Sequence, residues 1–385
     1  MKNLLLRSIF PMLLFFCASL LHAQDGGHVY VKSKTLRPGD TAKNQYFTIA
    51  LEAEEIEAPY VAFQFDITLP DGLEFEYLPN GKPRIILSKP GLYPSYEDYN
   101  EDGELIYTYP HKLEMSIVGG AVRVIVYSSN KDEDLRYFTS CSGELLKVYV
   151  RPTAYLKPGN VDITLTGVTF SYIDATPGLR TSELTISGLT AGAESSLPLK
   201  VSAANKFSTA VLPFDVAELP AGLEAYSCRS TSGDNLVLEK QQSMKAYTPY
   251  ILYAANGFDS TLSGTVDASK YPADGTVTDG YLTGTVVAQS IGSGNGYYVM
   301  QNKGDGPMFY RIDDTEFAIP AGKCWLTIPA GMQSAVSFHL DGTTGIGEVK
   351  GEEGNAGTIY DVQGRSVKRA EKGLYIINGE KVLKK

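Results

Sequence analysis

Short runs in which apolar and polar residues alternate constrain this chain more than any other feature. Such runs stand at 61–69 ("VAFQFDITL"), 122–126 ("VRVIV"), 146–150 ("LKVYV") and 161–165 ("VDITL"). A period of two with β-branched and aromatic residues is typical of strands that bury one face. Turns with Pro and Gly, such as "LPDG" (69–72), separate the runs. Helical periodicity is almost absent, so the sequence predicts an all-β fold of sandwich or barrel type.

Two segments of low complexity divide the 385 residues. One is rich in Ser, Ala and Gly (187–206), and the other is rich in Gly and Glu (341–358). A chain of this length is expected to form two or three domains. We therefore predict a β-sandwich at 25–190, a second β domain at 200–341 and a short C-terminal β module at 346–385.

The first residues have the composition of a secretory signal peptide. Lys2 and Arg7 precede an apolar run that ends in "LHA" before Gln24, so we expect removal of residues 1–23. The run is shorter than the ~20 residues of a membrane-spanning helix, and no other apolar run is long enough. The sequence therefore predicts an exported, soluble chain with no transmembrane span after cleavage.

The charge balance excludes two classes of partner. The chain has 44 acidic against 34 basic residues, a net charge of −10, and loss of the leader would make it more negative. No long basic run is present. Such a chain is a poor ligand for nucleic acid or for an anionic membrane surface.

Three cysteines would remain after cleavage: Cys141, Cys228 and Cys324. An odd number in an exported chain allows one disulfide at most. Cys228 and Cys324 fall in the same predicted domain and are the predicted pair, with three free buried thiols as the alternative. The remaining histidines are far apart in sequence, so no zinc site is predicted.

Tyrosines are concentrated in one insert, "LYPSYEDYNEDGELIYTYP" (92–110). Tyrosine offers a flat apolar ring and a hydroxyl, which suits contact with a sugar or a protein. The insert is therefore a candidate binding site for a glycan or a surface protein. Alternatively, the tyrosines cover a sheet face. The candidate residues are Tyr93, Tyr96, Tyr99, Tyr107 and Tyr109.

The same insert begins like a calcium-binding loop, with Asp98, Asn100 and Asp102 followed by a glycine. An EF-hand needs a glutamate at position 12 of the loop, where this chain has Tyr109. This excludes an EF-hand and leaves two readings, a calcium-binding turn of another type or a plain hairpin tip. Calcium at Asp98, Asn100 and Asp102 is the only cofactor hypothesis that the sequence raises.

Catalytic signatures are missing from the sequence. There is no G-x-S-x-G elbow, and the histidines do not suggest a base beside a nucleophile. Adjacent acidic residues could serve a glycosidase only if they faced each other across a substrate, and turns explain them better. We expect a protein that is not an enzyme.

The C-terminus carries two strand-like motifs, "IYDVQGR" (359–365) and "KGLYII" (372–377), and ends in lysines. They resemble the sorting tails of the type IX secretion system. The resemblance implies export across both bacterial membranes, with the secretion machinery as a partner. The residues that carry it are Tyr360, Asp361, Gly364, Arg365, Gly373 and Tyr375.

The N-terminal strand patterns, including "LRPGDTAKNQYFTIAL" (36–51) and "AFQFDITLPDGLEF" (62–75), resemble cohesin modules. This resemblance implies a carbohydrate-binding-module-like β-sandwich that recognises a ligand without catalysis. The middle domain is similar to accessory β domains that precede sorting tails. We therefore expect a secreted cell-surface protein that acts in adhesion or recognition of a glycan or protein. The alternatives are a structural scaffold subunit and a cohesin that captures a dockerin-bearing partner.

Overall fold

The computed structural model describes residues 27–41, 45–53, 60–232, 235–293, 296–302, 306–312, 316–328, 335–340, 359–361, 366–367, 373–377 and 380–384. The chain divides into two compact units, Met1–His339 and Leu340–Lys385. The predicted signal peptide (1–23) lies outside the described residues, as do Gly364 and Arg365 of the predicted sorting motif.

The N-terminal part of the first unit is built from thirteen strands. They are β1 (Gly27–Val31), β2 (Lys34–Leu36), β3 (Tyr46–Ala53), β4 (Ala62–Thr68), β5 (Leu73–Phe75), β6 (Ile85–Leu87), β7 (Tyr96–Tyr99), β8 (Leu105–Thr108), β9 (His111–Val118), β10 (Ala121–Ser128), β11 (Gly143–Pro152), β12 (Gly159–Ser171) and β13 (Pro177–Ala191). One sheet has the order β1-β3-β11-β5, with β6 also paired to β11, and a second has the order β2-β13-β12-β4-β10-β9. Strands β7 and β8 form a separate two-stranded hairpin.

A single hydrophobic core lies between these two sheets. The alternating runs supply it: Phe63, Phe65 and Ile67 of β4 are buried, and their polar neighbours point outward. The runs in β10, β11 and β12 bury their predicted apolar positions in the same way. Burial of each large apolar side chain contributes about 1.5–3 kcal/mol, so alternation fixes which face of each strand points inward. The all-β prediction is confirmed, and this part is a two-sheet sandwich.

The rest of the first unit is also built of strands. They are β14 (Glu194–Val201), β15 (Phe207–Val211), β16 (Glu224–Ser232), β17 (Asn235–Gln241), β18 (Pro249–Tyr253), β19 (Phe258–Thr265), β20 (Thr276–Asp279), β21 (Leu282–Thr285), β22 (Gln289–Ile291), β23 (Tyr297–Asn302), β24 (Pro307–Arg311), β25 (Phe317–Ile319), β26 (Cys324–Thr327) and β27 (Ala335–Leu340). The one helical element among the described residues is a 3₁₀ turn at Ala268–Lys270. No helix in the described part of the chain is long and apolar enough to cross a membrane.

Ten of these strands form one sheet, in the order β15-β18-β16-β17-β27-β24-β23-β26-β21-β20. The sheet folds back on itself, because its first strand packs against β21 and β26. Two hydrogen bonds fix this closure. The Val211 amide donates to the Gly322 carbonyl oxygen (3.0 Å), and the Cys324 amide donates to the Thr209 hydroxyl (3.0 Å). Strands β14 and β19, and strands β22 and β25, form two further pairs.

A buried tyrosine joins the sandwich to this second sheet system. The Tyr155 hydroxyl donates to the Val211 carbonyl oxygen (2.9 Å), and the Tyr271 hydroxyl donates to the Tyr155 carbonyl oxygen (3.1 Å). Gly322 lies so close to the Tyr155 hydroxyl that a Cβ atom would have no room. The segment 187–206, predicted as a linker, contains the end of β13 and all of β14. The division into domains at 25–190 and 200–341 stays a prediction.

The second unit contains four described strands: β28 (Ile359–Asp361), β29 (Ser366–Val367), β30 (Gly373–Ile377) and β31 (Glu380–Lys384). They form one antiparallel sheet in the order β29-β28-β30-β31. Tyr360 pairs with Ile376, and Asp361 pairs with Tyr375. The two halves of the predicted sorting motif are therefore adjacent in the sheet.

The structure corrects the predicted disulfide. Cys228 and Cys324 are both buried free thiols. They lie on β16 and β26, which are not neighbours in the sheet. Burial raises the pKa of each thiol to about 12. Cys141 is a half-buried free thiol, so the described cysteines fit the free-thiol alternative better than the disulfide.

Replacing Tyr155 by Phe should destabilise the first unit. The change deletes the hydroxyl that satisfies the buried Val211 carbonyl oxygen, and losing one partner of a buried hydrogen bond costs about 1–3 kcal/mol. Urea unfolding of the full chain would measure this. Tyr77→Phe is the control, because Tyr77 is 51% exposed. Equal unfolding free energies for Tyr155→Phe and the wild type would show that Tyr155 does not stabilise the junction.

Candidate recognition hairpin

The tyrosine-rich insert forms the hairpin of β7 and β8, called here the tyrosine hairpin (residues 96–108). Its strands are antiparallel, with Tyr96 opposite Thr108 and Tyr99 opposite Leu105. Among the described residues, neither strand pairs with a third strand. The hairpin therefore has two free edges, each with unpaired backbone groups.

Both faces of the tyrosine hairpin carry exposed apolar side chains beside a carboxylate, Glu97 on one face and Asp98 on the other. Because side chains alternate along a strand, the register places Tyr99, Leu105 and Tyr107 on one face and Tyr96 and Ile106 on the other. Tyr99 is 67% exposed and Tyr107 is 58% exposed. A hairpin that buries one face is expected to alternate apolar and polar residues in its sequence. The sequence "ELIYTY" (104–109) does not alternate in this way.

Asn100 shapes the tip of the hairpin. Its side-chain oxygen accepts hydrogen bonds from the amides of Asp102 (3.1 Å) and Glu104 (2.8 Å). Its side-chain nitrogen donates to a carboxylate oxygen of Glu104 (3.0 Å). Gly103 adopts a positive φ of 76°, which glycine tolerates without strain. The sequence "NEDGE" (100–104) thus forms a self-contained turn held by an asparagine cap.

The three predicted calcium ligands lie at or near this turn, but two of them already serve the backbone. The Asn100 oxygen is used within the turn, and a carboxylate oxygen of Asp98 accepts from the Tyr99 amide (2.9 Å). Among the described residues, no group of three or more His, Cys, Asp or Glu side chains is arranged to hold a metal ion. The turn matches the hairpin-tip alternative, and calcium at Asp98, Asn100 and Asp102 stays a prediction.

Three rings anchor the base of the hairpin in the sandwich core, and we call them the aromatic anchor: Tyr93, His111 and Phe138. The centroid of the His111 ring lies 5.3 Å from those of both Tyr93 and Phe138. Tyr93 precedes β7 and His111 follows β8. Both chain ends of the hairpin are thus fixed by the same buried cluster, and the hairpin projects from a rigid base.

One predicted ligand-binding residue, Tyr93, is part of the aromatic anchor and is not available to a ligand. Tyr93 is only 2% exposed, and its hydroxyl donates to the Leu145 carbonyl oxygen (2.7 Å). Its interpretation as an exposed binding residue is therefore wrong, because its ring fills the core. Tyr109 is half-buried, and the Lys89 ammonium lies 4.6 Å from its ring centroid. Tyr96, Tyr99 and Tyr107 remain as surface candidates.

His111 is a buried titratable group. It is 3% exposed, and neither ring nitrogen has a hydrogen-bond partner in good geometry among the described residues. Burial lowers the pKa of His111, and it outweighs the opposing effect of the nearby Val61 and Arg136 backbone groups. The positive charge of Lys89 lowers it further. The imidazole is therefore neutral in the folded protein over a wider pH range than a free histidine.

Comparisons with known proteins do not assign this chain to a family. No family model matches the chain, and no curated protein matches it. One matching solved structure is a cohesin from a cohesin–dockerin complex of Clostridium thermocellum, with a sequence identity of 13% and a TM-score of 0.30. The match covers 44% of this chain and 97% of that chain. A cohesin module from a family 33 glycoside hydrolase of Clostridium perfringens matches at 14% identity, 44% and 99% coverage and a TM-score of 0.25.

A longer match involves a pilin. The major pilin subunit BcpA of Bacillus cereus is 10% identical, with 82% of this chain and 68% of that chain covered and a TM-score of 0.26. At these identities and TM-scores, the likenesses assign neither a ligand nor a partner to this chain. The sites described here therefore depend on this chain's own geometry.

The stability of the protein should fall as pH decreases through about 6.5, the ordinary histidine pKa. Below that pH, the unfolded His111 binds a proton that the folded residue does not, which costs up to about 1.4 kcal/mol per pH unit. His111→Phe keeps a ring and should reduce this dependence. Urea unfolding between pH 7.5 and 5.5 measures it.

His28→Gln is the control for that measurement. His28 lies on β1 with its side chain about half exposed, 3.4 Å from a carboxylate oxygen of Glu52, and its replacement should leave the effect of His111 in place. The same pH dependence in His111→Phe and the wild type would show that His111 is not the group responsible.

Proposed function

We propose that this chain is an exported, non-catalytic recognition protein that binds a protein partner through the tyrosine hairpin. Five large apolar side chains are exposed within thirteen residues: Tyr96, Tyr99, Leu105, Ile106 and Tyr107. Scattered exposed apolar residues are ordinary, but here five lie on one two-stranded hairpin, three on one face and two on the other, and such a concentration is typical of an interaction site. This cluster is the observation that carries the proposal.

The free edges of the hairpin support binding by strand addition. Each strand of the hairpin presents backbone N–H and C=O groups on the side away from its partner, and an extended segment of another protein can pair with them. The aromatic anchor favours affinity, because a fixed hairpin loses little conformational freedom on binding. Tyrosine adds contact area at a low entropic cost.

Leu105 and Ile106 favour a protein over a glycan. A sugar gains from flat aromatic rings and polar donors, whereas exposed aliphatic side chains gain most from an apolar pocket on a protein. Tyr99 and Tyr107 share one face, which leaves a glycan as the second candidate ligand. The cohesin-like and scaffold interpretations both agree with a protein partner.

The histidine environments support a function without catalysis. His111 lies in the aromatic anchor, and the half-exposed His28 side chain faces the Glu52 carboxylate. Neither residue has a nucleophilic serine or cysteine as its hydrogen-bond partner among the contacts that the structure describes. A recognition role needs no such pair.

Export is the second part of the proposal. The signal-peptide composition of residues 1–23 and the two C-terminal motifs support it, and the strands that carry Tyr360 and Tyr375 are neighbours in one sheet. A protein exported by this route would present the tyrosine hairpin at the outer cell surface.

Replacing both Tyr99 and Tyr107 by Ala should weaken partner binding strongly and leave stability unchanged, because both rings are mostly exposed. Loss of two central aromatic contacts typically weakens binding by at least about 30-fold. The partner would be isolated by crosslinking at the cell surface, produced pure and titrated by calorimetry. Tyr77→Ala is the matched control, because Tyr77 is an exposed tyrosine outside the hairpin.

A glycan array screened with the same variants separates the two ligands. Binding to a purified protein that only the double variant loses would support the proposal. Binding to a glycan that requires Tyr99 and Tyr107 would replace the protein by the second candidate. Undiminished partner binding by the double variant would exclude the hairpin as the site.

Deleting residues 346–385 should leave the protein in the periplasm. The deletion removes the sorting motifs and leaves the signal peptide in place. Immunoblots of periplasm, outer membrane and medium measure the distribution. The Tyr99→Ala variant, with an intact tail, should reach the same location as the wild type. Normal secretion of the truncated protein would refute the role of the tail.

A further inference from the structure

A second surface lies on the outer side of the sheet β1-β3-β11-β5. It is called here the basic aromatic face and comprises Tyr46, Arg84, Lys147 and Tyr149, together with Lys34, which belongs to β2 of the other sheet and lies over the Tyr46 ring. Tyr46 and Tyr149 are opposite each other on β3 and β11, with their ring centroids 5.3 Å apart. The inward neighbours on both strands are in the core, so alternation holds these two rings on the outer side.

Cations lie over both rings. The Lys34 ammonium is 3.8 Å from the centroid of Tyr46, and the Arg84 guanidinium is 3.8 Å from that of Tyr149. The Lys147 ammonium is 5.6 Å from the Tyr46 centroid. Attraction to the ring faces holds these charges in place. Two ammonium groups are therefore held beside the same ring.

The cations of this face differ in their ion pairing. Arg84 pairs with Glu76 (2.9 Å), and the neighbouring Lys32 pairs with Glu144 (2.6 Å). Among the described residues, neither Lys34 nor Lys147 lies within ion-pair distance of a carboxylate, although the charge of Lys147 helps to lower the pKa of Glu144. Partial burial lowers the pKa of Lys34, so its charge has lost hydration without gaining a counter-charge. An incoming anion would supply that counter-charge.

We propose that the basic aromatic face binds a carboxylate-bearing polysaccharide, with the carboxylate held between Lys34 and Lys147. The charge of this face contrasts with the net charge of −10 of the whole chain. A local positive site on an acidic protein selects an anionic ligand by direct contact, because long-range attraction is weak. This site is independent of the tyrosine hairpin.

The surrounding acidic residues favour a sugar chain over an acidic peptide or another dense polyanion. Glu76 pairs with Arg84, Glu144 pairs with Lys32 and also interacts with the charge of Lys147, and Glu74 pairs with Arg151 at the edge (2.6 Å). These carboxylates repel a ligand with a charge at every residue. They accept hydrogen bonds from hydroxyl groups, which a sugar chain carries between its carboxylates.

The mode of contact follows from the occupied ring faces. Lys34 and Arg84 already cover faces of Tyr46 and Tyr149, so the rings serve to hold the cations while the ligand contacts the charges and hydroxyl groups. Tyr46 and Tyr149 are half-buried, and Thr48 and Ala50 beside Tyr46 on β3 are buried. We therefore expect a salt-sensitive interaction of the kind that a few charge-assisted hydrogen bonds produce.

The test uses the full chain and hyaluronan oligosaccharides, in which carboxylates alternate with neutral sugars. Calorimetry should detect binding that weakens with added salt. Lys34→Gln and Lys147→Gln, made separately, should each lower affinity about tenfold, because each removes a charged hydrogen-bond donor. Lys112→Gln is the matched control, because it removes the same charge from the exposed side of β9 in the other sheet.

Two further ligands complete the test. Carboxyl-reduced hyaluronan, the uncharged form of the same polymer, should not bind. Poly-L-glutamate should bind more weakly than hyaluronan. Absence of hyaluronan binding, equal binding of the reduced polymer, tighter binding of polyglutamate or an equal loss in Lys112→Gln would each overturn the proposal. The Tyr99→Ala and Tyr107→Ala changes should leave hyaluronan binding unaltered, so this site and the hairpin are tested separately.

Discussion

The contact between the inward faces of the two N-terminal sheets determines what every other residue on those strands can do. Once Phe47, Ile49 and Leu51 of β3 are committed to the core, the residues between them lie on the opposite face of the sheet, although Thr48 and Ala50 are themselves buried there. The same constraint on β11 places Lys147 and Tyr149 outside. The hydrophobic effect has no directional preference, but a strand has only two faces. Burial of one face therefore determines which side chains lie on the other. The basic aromatic face depends on this constraint directly.

The tyrosine hairpin shows how that core supports a surface that does not belong to it. A two-stranded hairpin alone is at most marginally stable in water. Here the chain enters and leaves through Tyr93 and His111, which pack with Phe138. The buried neutral imidazole couples the hairpin base to pH. The exposed strands need no stabilising apolar face of their own, and this leaves their tyrosines and aliphatic side chains available to a partner.

Local sequence patterns predicted the strands well, because the alternation of apolar and polar residues along a strand involves only neighbouring residues. The buried positions of β4 and β10 were predictable in this way, as were the alternating ones of β11 and β12, but the burial of Leu145 beside Leu146 at a bulge in β11 was not. Features that depend on distant residues were not. The burial of Tyr93 depends on Phe138, and the separation of Cys228 from Cys324 depends on sheet order. Lys34 of β2 and Lys147 of β11 come near the same ring, Tyr46, although they belong to different sheets. The exposure of Leu105 and Ile106 had a signal in the absence of alternation, but the predictions concentrated on tyrosine.

The two proposed sites have opposite charge, which separates their ligands. The tyrosine hairpin carries Glu97, Asp98, Glu101, Asp102 and Glu104 and no basic residue, so it repels the anionic sugar chain that suits the basic aromatic face. A protein that docks on the hairpin should present basic residues around an apolar surface, since charge complementarity speeds encounter and rejects wrong partners. Added salt would weaken both interactions, but by different routes: it would slow association at the hairpin and loosen the direct contacts at the lysines. One sandwich can therefore hold a protein and a polysaccharide at the same time without competition between them.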